Sequence, residues 1–239
     1  MSNRQMTVAV IGAGGVLGRG IVAELALNGV QVIAHGLSRD ELRRGLLDAQ
    51  TGLDRAHEQG LLEDDFLPLP LADFVTLTTN IAEAITPADL IIEAIPERPA
   101  AKRAIYHEVL PRMRADAILA TTTMSLSVTE LSTNLPRGER FLGLRFFMPV
   151  VLIDDVELTP GLQTSDAALE QAKSFLLSIN KVPVYKRPGE LRFLRLEADE
   201  VQNRQKEAAQ RRRLRLSAHS SQDDELRQLR QHLGLEGRK

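Results

Sequence analysis

The chain has 239 residues, of which 43% are hydrophobic and 26% charged, and its formal net charge is -2. This composition is typical of a globular protein with one substantial core, and without a basic excess we expect no nucleic-acid partner. The chain has no cysteine, which excludes disulfides, a thiolate nucleophile and cysteine-ligated zinc. The histidines show no metal-ligand spacing, so no bound metal is expected.

The first residues lead almost directly into an apolar segment, which leaves no room for a signal or transit peptide. No apolar run is long enough to cross a bilayer. From these two features we expect a cytoplasmic protein with no membrane partner.

In chain order, the predicted elements alternate between strands and helices. Strand TVAVI, a glycine turn and a helix come first, and strand VQVIAH and a charged helix over residues 38–60 follow. Ser38 and Glu41 form a capping box at the start of this second helix. The next predicted elements are strands at 74–79 and 88–97, a helix at 100–113, and a strand at 116–123.

This alternation predicts an α/β fold, a doubly wound Rossmann-type parallel sheet covered by helices on both faces. Strand RFLGLRFF, strand VELTP, a helix at 167–179 and strand KVPVY complete a predicted domain over residues 1–187. The chain then becomes highly charged, and residues 188–239 predict a short C-terminal helical appendage. Its basic run RRRLR is interpreted as a solvated helix face, because acidic residues are interleaved with it, and a nucleic-acid or membrane patch is the alternative.

The strongest local signal is GAGGVLG, between the first strand and the first helix. Gly12 permits a tight turn, and Gly14 or Gly15 lets the backbone approach a pyrophosphate. Val16 and Leu17 begin the helix, whose N-terminal amides donate to phosphate. The third glycine falls one place later than in GxGxxG, and the run also satisfies the GxxGxxG of some NADP-binding reductases. A glycine turn without a ligand is the alternative interpretation.

The cofactor preference should depend on the end of the second strand, where NAD-binding proteins place an acidic residue for the ribose hydroxyls. This chain has Gly36 at that place. With no carboxylate there to repel a 2'-phosphate, and with Ser38 and Arg39 able to donate to one, NADP is modestly favoured over NAD. The acidic residues Asp40 and Glu41 act against this preference.

Five runs of sequence together resemble the 3-hydroxyacyl-CoA dehydrogenase family over nearly all of residues 5–189. They are VAVIGAGG, ADLIIEAIPERPAAKRAIYHEV, AILATTTMSLSVTEL, RFLGLRFFMPV and VPVYKRPG. The resemblance implies an oxidoreductase of fatty acid metabolism, with an NAD-binding Rossmann domain and a helical domain that covers acyl-CoA and helps form a dimer. Here the polar residues 188–239 stand in place of that longer domain, so formation of a homodimer is left open.

The resemblance also assigns cofactor contacts, which match the family at most positions. These are Ala94 and Ile95 after the strand that ends near Ile92, Glu97 and Lys102 at the family's spacing, and Thr122 where the family usually has Asn. We therefore expect the nucleotide half of the family's site to be intact.

The catalytic half departs from the family. Arg145 replaces the family's histidine base, although the glutamate that orients this base is retained as Glu157. Met124 and Met148 replace the serine and asparagine that bind the substrate oxygen. A guanidinium stays protonated near neutral pH and a thioether has no hydrogen to donate, so the usual chemistry should be absent or very slow.

We expect Arg145 to form an ion pair with Glu157 in a half-buried cleft. One interpretation is that this ion pair is only a structural contact, in an active site that has lost its catalytic activity. The other is that Arg145 binds an anionic or carbonyl oxygen of a different substrate, with help from Ser125.

Three functions therefore remain open. The first is an NAD(P)-dependent oxidoreductase acting on a β-hydroxy or β-keto acyl thioester or acid through a non-standard active site. The second is a catalytically inactive dinucleotide-binding sensor or scaffold, and the third is a non-redox isomerase or cyclase. The nucleotide half favours an enzyme, whereas the replaced catalytic residues favour an inactive protein.

Overall fold

The computed structural model describes residues 6–62 and 70–186, which form one sheet with helices on both sides. The strands are β1 (Thr7–Ile11), β2 (Gln31–His35), β3 (Val75–Thr78), β4 (Leu90–Glu93), β5 (Ile118–Thr121), β6 (Phe141–Phe146), β7 (Asp155–Pro160) and β8 (Val182–Tyr185). The helices are α1 (Val16–Leu27), α2 (Arg39–Glu58), α3 (Ile81–Ile85), α4 (Pro99–Val109), α5 (Val128–Ser132) and α6 (Asp166–Ser178).

The strand order is β3-β2-β1-β4-β5-β6-β7-β8. Strands β1 to β6 are mutually parallel, β7 is antiparallel to β6, and β8 is parallel to β7. The chain moves outward from β1 to β3 and then crosses back to β4 on the other side of β1. The predicted doubly wound Rossmann-type fold is confirmed, and a crevice opens between the carboxyl ends of β1 and β4.

The two faces of the sheet bury separate apolar cores. Helices α1, α2 and α6 pack on one face, where Leu25, Leu53 and Phe175 are buried. Helices α3, α4 and α5 pack on the other. Because both faces are covered, every residue of β4 and of β5 is buried, which explains the continuous apolar runs in the sequence.

Helix α2 begins where the capping box predicts, because the Ser38 hydroxyl accepts from the Glu41 amide at 3.1 Å. Helices α3 and α5 were not predicted, since each is only five residues long and carries no helical periodicity. The side-chain caps Asn80 and Ser127 are the local signals that mark them. The reversed direction of β7 was also not predicted from the alternating pattern.

The predicted appendage at 188–239 lies outside the described residues, so its helices and the domain boundary at 187 stay predictions. Across 6–62 and 70–186, no helix is long and apolar enough to cross a membrane. The same residues hold no cluster of His, Cys, Asp or Glu that would bind a metal ion.

Candidate functional site

The glycine turn joins β1 to α1 at the crevice between β1 and β4. Gly12 has a φ of +86°, and a Cβ added to it would lie 2.6 Å from the carbonyl oxygen of Ala94. A Cβ added to Gly18 would overlap the carbonyl oxygen of Gly12. Both glycines are therefore required by the close approach of backbone to backbone that shapes this turn.

The start of α1 presents free donors to the same crevice. Gly15 is the N-cap residue, and no side chain caps this end of the helix. Val16 and Leu17 are the first helical residues, so their amides have no carbonyl partner within the helix. Free amides and the positive end of a helix dipole suit a pyrophosphate, so this turn fits a dinucleotide.

The end of β2 contributes the residues predicted to set the cofactor preference. Gly36 is buried, and a Cβ added to it would lie 2.9 Å from Cδ2 of Leu42. Ser38 and Arg39 are both exposed at the start of α2. The structure therefore brings all three predicted residues to the carboxyl edge of the sheet, next to the glycine turn.

A buried carboxylate, Glu93, ends β4 beside the turn. Its side chain is fully buried and accepts hydrogen bonds from Lys102 Nζ at 2.7 Å, Tyr106 Oη at 2.5 Å, Thr121 Oγ1 at 2.9 Å and the Ile95 amide at 2.8 Å. Burial and the adjacent Glu93 raise the pKa of Tyr106, so its hydroxyl stays protonated and donates. These donors compensate the buried charge and hold the β4 loop in place.

A second carboxylate, Glu97, organises the loop after β5. Its Oε1 atom accepts from Thr123 Oγ1 at 2.6 Å, from the Met124 and Ser125 amides at 2.9 Å each, and from Ser125 Oγ at 3.1 Å. Lys102 Nζ lies 3.5 Å from Oε2. Partial burial alone would raise the pKa of Glu97, but these hydrogen bonds and the Lys102 charge outweigh it and lower the pKa to about 2.

The structure gives three predicted residues roles that the sequence did not indicate. Lys102 is fully buried between Glu93 and Glu97, so here it holds two carboxylates rather than facing open space. Thr122 is also buried, and its amide donates to the Glu93 carbonyl at 3.0 Å. The Ser125 hydroxyl is committed to Glu97. Ala94 and Ile95, which the resemblance assigns to the cofactor, are half-buried beside the glycine turn.

The predicted ion pair between Arg145 and Glu157 is present. The antiparallel register places the two residues opposite each other on β6 and β7, with Arg145 Nη1 3.3 Å from Glu157 Oε2. Lys186 Nζ lies 2.7 Å from the same oxygen, a contact that the sequence did not predict. The Arg145 guanidinium also lies 4.9 Å from the centre of the Phe147 ring, which orients it.

Two cations thus surround one buried carboxylate. The Glu157 side chain is 1% exposed, against 12% for Arg145 and 13% for Lys186. No described residue bonds to Glu157 Oε1. The cluster carries a net positive charge close to the carboxyl end of β6, which favours an anionic oxygen over a neutral one.

An open groove of about 410 Å³ lies beside this edge of the sheet, between α1, α2 and residues 148–152. Met148 lines it and is 47% exposed. Arg19, Asp48 and Arg55 add charged groups to walls that are otherwise mainly apolar. The groove offers space for an apolar chain on the α1 and α2 face of the sheet.

The sheet order, the glycine turn at its crevice and the uncapped start of α1 define a dinucleotide-binding α/β domain. The chain belongs to the 3-hydroxyacyl-CoA dehydrogenase family, whose NAD-binding domain matches residues 7–188. The resemblance inferred from the sequence is confirmed.

Curated relatives are identical to the chain at about a third of the aligned positions. It is 34% identical over 174 residues to a 3-hydroxybutyryl-CoA dehydrogenase of Bradyrhizobium diazoefficiens, covering 73% of the chain and 58% of the relative. It is 33% identical over 178 residues to the 3-hydroxyadipyl-CoA dehydrogenase of Escherichia coli, covering 74% of the chain and 37% of the relative. The chain therefore spans less than two thirds of the length of these relatives.

Solved structures show the same architecture. The (S)-3-hydroxybutyryl-CoA dehydrogenase of Ralstonia eutropha superimposes with a TM-score of 0.72 at 26% identity, covering 78% of the chain and 65% of that structure. The 3-hydroxybutyryl-CoA dehydrogenase of Escherichia coli superimposes with a TM-score of 0.70 at 32% identity, covering 77% of the chain and 38% of that structure.

Proposed function

We propose that the chain is an NAD(P)-dependent oxidoreductase that acts on a β-hydroxy or β-keto acyl thioester or acid through a non-standard active site. One observation carries the proposal. The glycine turn and the Arg145 cluster lie at the same edge of one sheet, and the Glu97 loop stands between them. In open α/β sheets this edge is where cofactor and substrate meet.

A bound nicotinamide cofactor supplies the exchange of a hydride with the carbinol or carbonyl carbon of the substrate. The chain's own contribution is to bind and orient. Arg145 donates to a carboxylate or carbonyl oxygen, while Glu157 and the Phe147 ring hold the guanidinium in place. Glu97 fixes the loop that carries Ser125 at the end of the neighbouring strand.

The fate of the substrate proton separates this site from one with a histidine base. Arg145 does not release its proton near neutral pH, so the proton that balances hydride transfer is exchanged with solvent. We therefore expect slow turnover. The net positive charge also favours substrates with a free carboxylate over neutral thioesters of the same chain length.

The groove between α1, α2 and residues 148–152 supports an acyl substrate, because its mainly apolar walls can accept an acyl chain. The relatives' names refer to 3-hydroxybutyryl-CoA and 3-hydroxyadipyl-CoA, which are acyl thioesters of this kind.

A catalytically inactive dinucleotide-binding sensor or scaffold is the second candidate. The exposed side chain of Met124, at 60%, favours it, because a thioether stands where the family has a substrate-binding hydroxyl. The choice between NAD and NADP is part of both proposals: the sequence favours NADP, whereas the family's domain is an NAD-binding one.

Two measurements test the proposal. Nicotinamide fluorescence should first show binding of NADH or NADPH to the full chain. A screen of β-keto acids and their thioesters should then show cofactor-dependent reduction, which Arg145→Met abolishes and the exposed control Arg43→Met does not. Binding without turnover of any substrate would support the sensor, and absence of binding would contradict both candidates.

A further inference from the structure

Helix α2 rests directly on the glycine turn. A Cβ added to Gly45 would lie 3.0 Å from the Cα atom of Gly14, so glycine favours this close approach of the two backbones. Glu41 lies one helical turn before Gly45 and therefore on the same face of α2. A Cβ added to Gly14 would lie 2.6 Å from Glu41 Cγ and 2.7 Å from Glu41 Oε1. Backbone packing thus fixes a carboxylate over the second glycine of the turn.

The usual place for such a carboxylate is closed in this chain. A side chain at Gly36 would meet Cδ2 of Leu42 at 2.9 Å and Cγ at 3.1 Å, and Leu42 is itself 2% exposed in the core. The Glu41 carboxylate, by contrast, is half-buried and accepts no hydrogen bond from any residue that the structure describes. Its acceptor capacity is available for a ligand on the turn.

We propose that Glu41 replaces the missing acid at the end of β2, accepts hydrogen bonds from the adenosine ribose hydroxyls, and selects NAD over NADP. The inference rests on the proposed function, because it requires that the glycine turn binds a dinucleotide. It reverses the NADP preference that Gly36 and Arg39 favour in the sequence.

The position of the Glu41 charge gives the physical reason for a preference for NAD. In dinucleotide-binding turns the second glycine lets the backbone approach the pyrophosphate, and the adenosine ribose lies next to it. A carboxylate over this glycine accepts well from ribose hydroxyls. A 2'-phosphate with a charge of about -2 would be repelled there. Arg39 and Ser38 offset this repulsion little, because Arg39 is exposed and its charge is screened by solvent, and the Ser38 oxygen already caps α2.

The test uses the full chain and two isosteric variants. Glu41→Gln removes the charge over Gly14, and Asp40→Asn removes the same charge from the exposed neighbouring position. Isothermal titration with NADH, NADPH, ADP-ribose and its 2'-phosphorylated form measures binding without turnover. The two ADP-ribose ligands lack the nicotinamide, so any difference between them comes from the ribose end.

The unmodified protein should bind NADH and ADP-ribose more tightly than the 2'-phosphorylated forms. Glu41→Gln should weaken the binding of NADH about tenfold, equivalent to about 1.4 kcal/mol, and strengthen the binding of NADPH. The preference for NADH over NADPH should therefore shrink or reverse. Asp40→Asn should keep the preference of the unmodified protein. Circular dichroism should show the same fold for all three proteins.

Binding of NADH with a preference that Glu41→Gln does not alter, or alters no more than Asp40→Asn, would overturn the role of Glu41 and leave the proposed function standing. A preference of the unmodified protein for NADPH would also overturn it. Failure of all four ligands to bind would overturn the proposed function together with this inference.

Discussion

Glu97 is a single carboxylate that shapes a whole loop of the site. One of its oxygens receives two backbone amides and two hydroxyls from residues 123–125, and Lys102 approaches the other. The lowered pKa of Glu97 records how strongly these donors favour the ionised form over the protonated form. Protonation of this one group should therefore loosen the loop at residues 123–125.

The pH dependence of stability follows from that shift. The pKa of Glu97 is about 2 in the folded protein and about 4.3 in an unfolded chain. The stabilisation is fully present above about pH 4.3 and is lost as the pH falls towards 2. Urea unfolding should show Glu97→Gln less stable than the unmodified protein at pH 7, with the difference shrinking towards pH 2.5.

The exposed Glu170→Gln variant is the matched control for this experiment, because Glu170 forms only a surface pair with Lys173. Its unfolding free energy should differ from that of the unmodified protein by less than about 0.5 kcal/mol at any pH. A difference for Glu97→Gln that stays constant from pH 7 to pH 2.5 would contradict the assignment.

By the resemblance to the family, Arg145 stands at the position of the histidine base. The unmodified protein should turn over a short acetoacetyl thioester negligibly, since general-base catalysis contributes about 10²- to 10⁴-fold and an oxyanion donor about 10²- to 10³-fold. Arg145→His alone should recover little, because Met124 and Met148 still offer no donor. The triple variant R145H/M124S/M148N should recover more, measured as thioester-dependent NADH oxidation. Ordinary dehydrogenase rates in the unmodified protein would refute this mapping of the site.

Among the elements, α1 depends most on glycine. Gly18 lies on the side of α1 that faces the turn, and its lack of a side chain lets the helix approach the Gly12 carbonyl. Gly52 occupies a helix too, but a Cβ added there would meet nothing within 4 Å. Replacing glycine by alanine should thus have opposite effects on the stability of the fold at Gly18 of α1 and Gly52 of α2.

Gly18→Ala should destabilise the fold by at least about 1 to 3 kcal/mol, because backbone must move to admit the methyl group. It should also weaken dinucleotide binding. Gly52→Ala should stabilise the fold by up to about 1 kcal/mol through helix propensity. Thermal unfolding of both variants measures the two effects, and a Gly18→Ala variant as stable as the unmodified protein would contradict the close packing at the turn.

At the scale of the whole molecule, Lys181 connects parts of the fold that are distant in sequence. Its buried Nζ atom lies 3.1 Å from Glu24 of α1 and donates to the carbonyls of Val150 and Ile153 at 2.7 and 2.9 Å. Asp154 lies 3.8 Å away. Lys181 thereby ties α1 and the start of β8 to the segment that lines the groove.

Lys181→Met should destabilise the protein by about 3 to 5 kcal/mol, since it removes a buried cation that lies close to two buried carboxylates. Lys173→Met is the matched control, because Lys173 pairs only with Glu170 at the surface, and its effect should stay within about 0.5 kcal/mol. Denaturant unfolding at neutral pH measures both. Equal effects of the two changes would contradict a structural role for Lys181.

The sequence by itself determined the fold class, the glycine turn at the switch point and the Ser38 cap at the start of α2. These features depend on local periodicity and on residues close together in the chain, which act in the same way in many folds. The resemblance to the family also predicted the pairing of Arg145 with Glu157, because these residues stand where the family has its paired histidine and glutamate and a buried charge needs a partner. The sequence's modest preference for NADP is untested, and the position of Glu41 over Gly14 argues for the opposite preference.

Only the tertiary structure decided which charged residues, distant from one another in the sequence, lie in contact. It buried Lys102 between two carboxylates, added Lys186 to the Arg145 pair and set Glu41 over Gly14. No local pattern contains these contacts, because each depends on strand order, strand direction and the seating of one helix on one turn. A charged side chain in a sequence has many partners within reach, and the packing of the backbone selects among them.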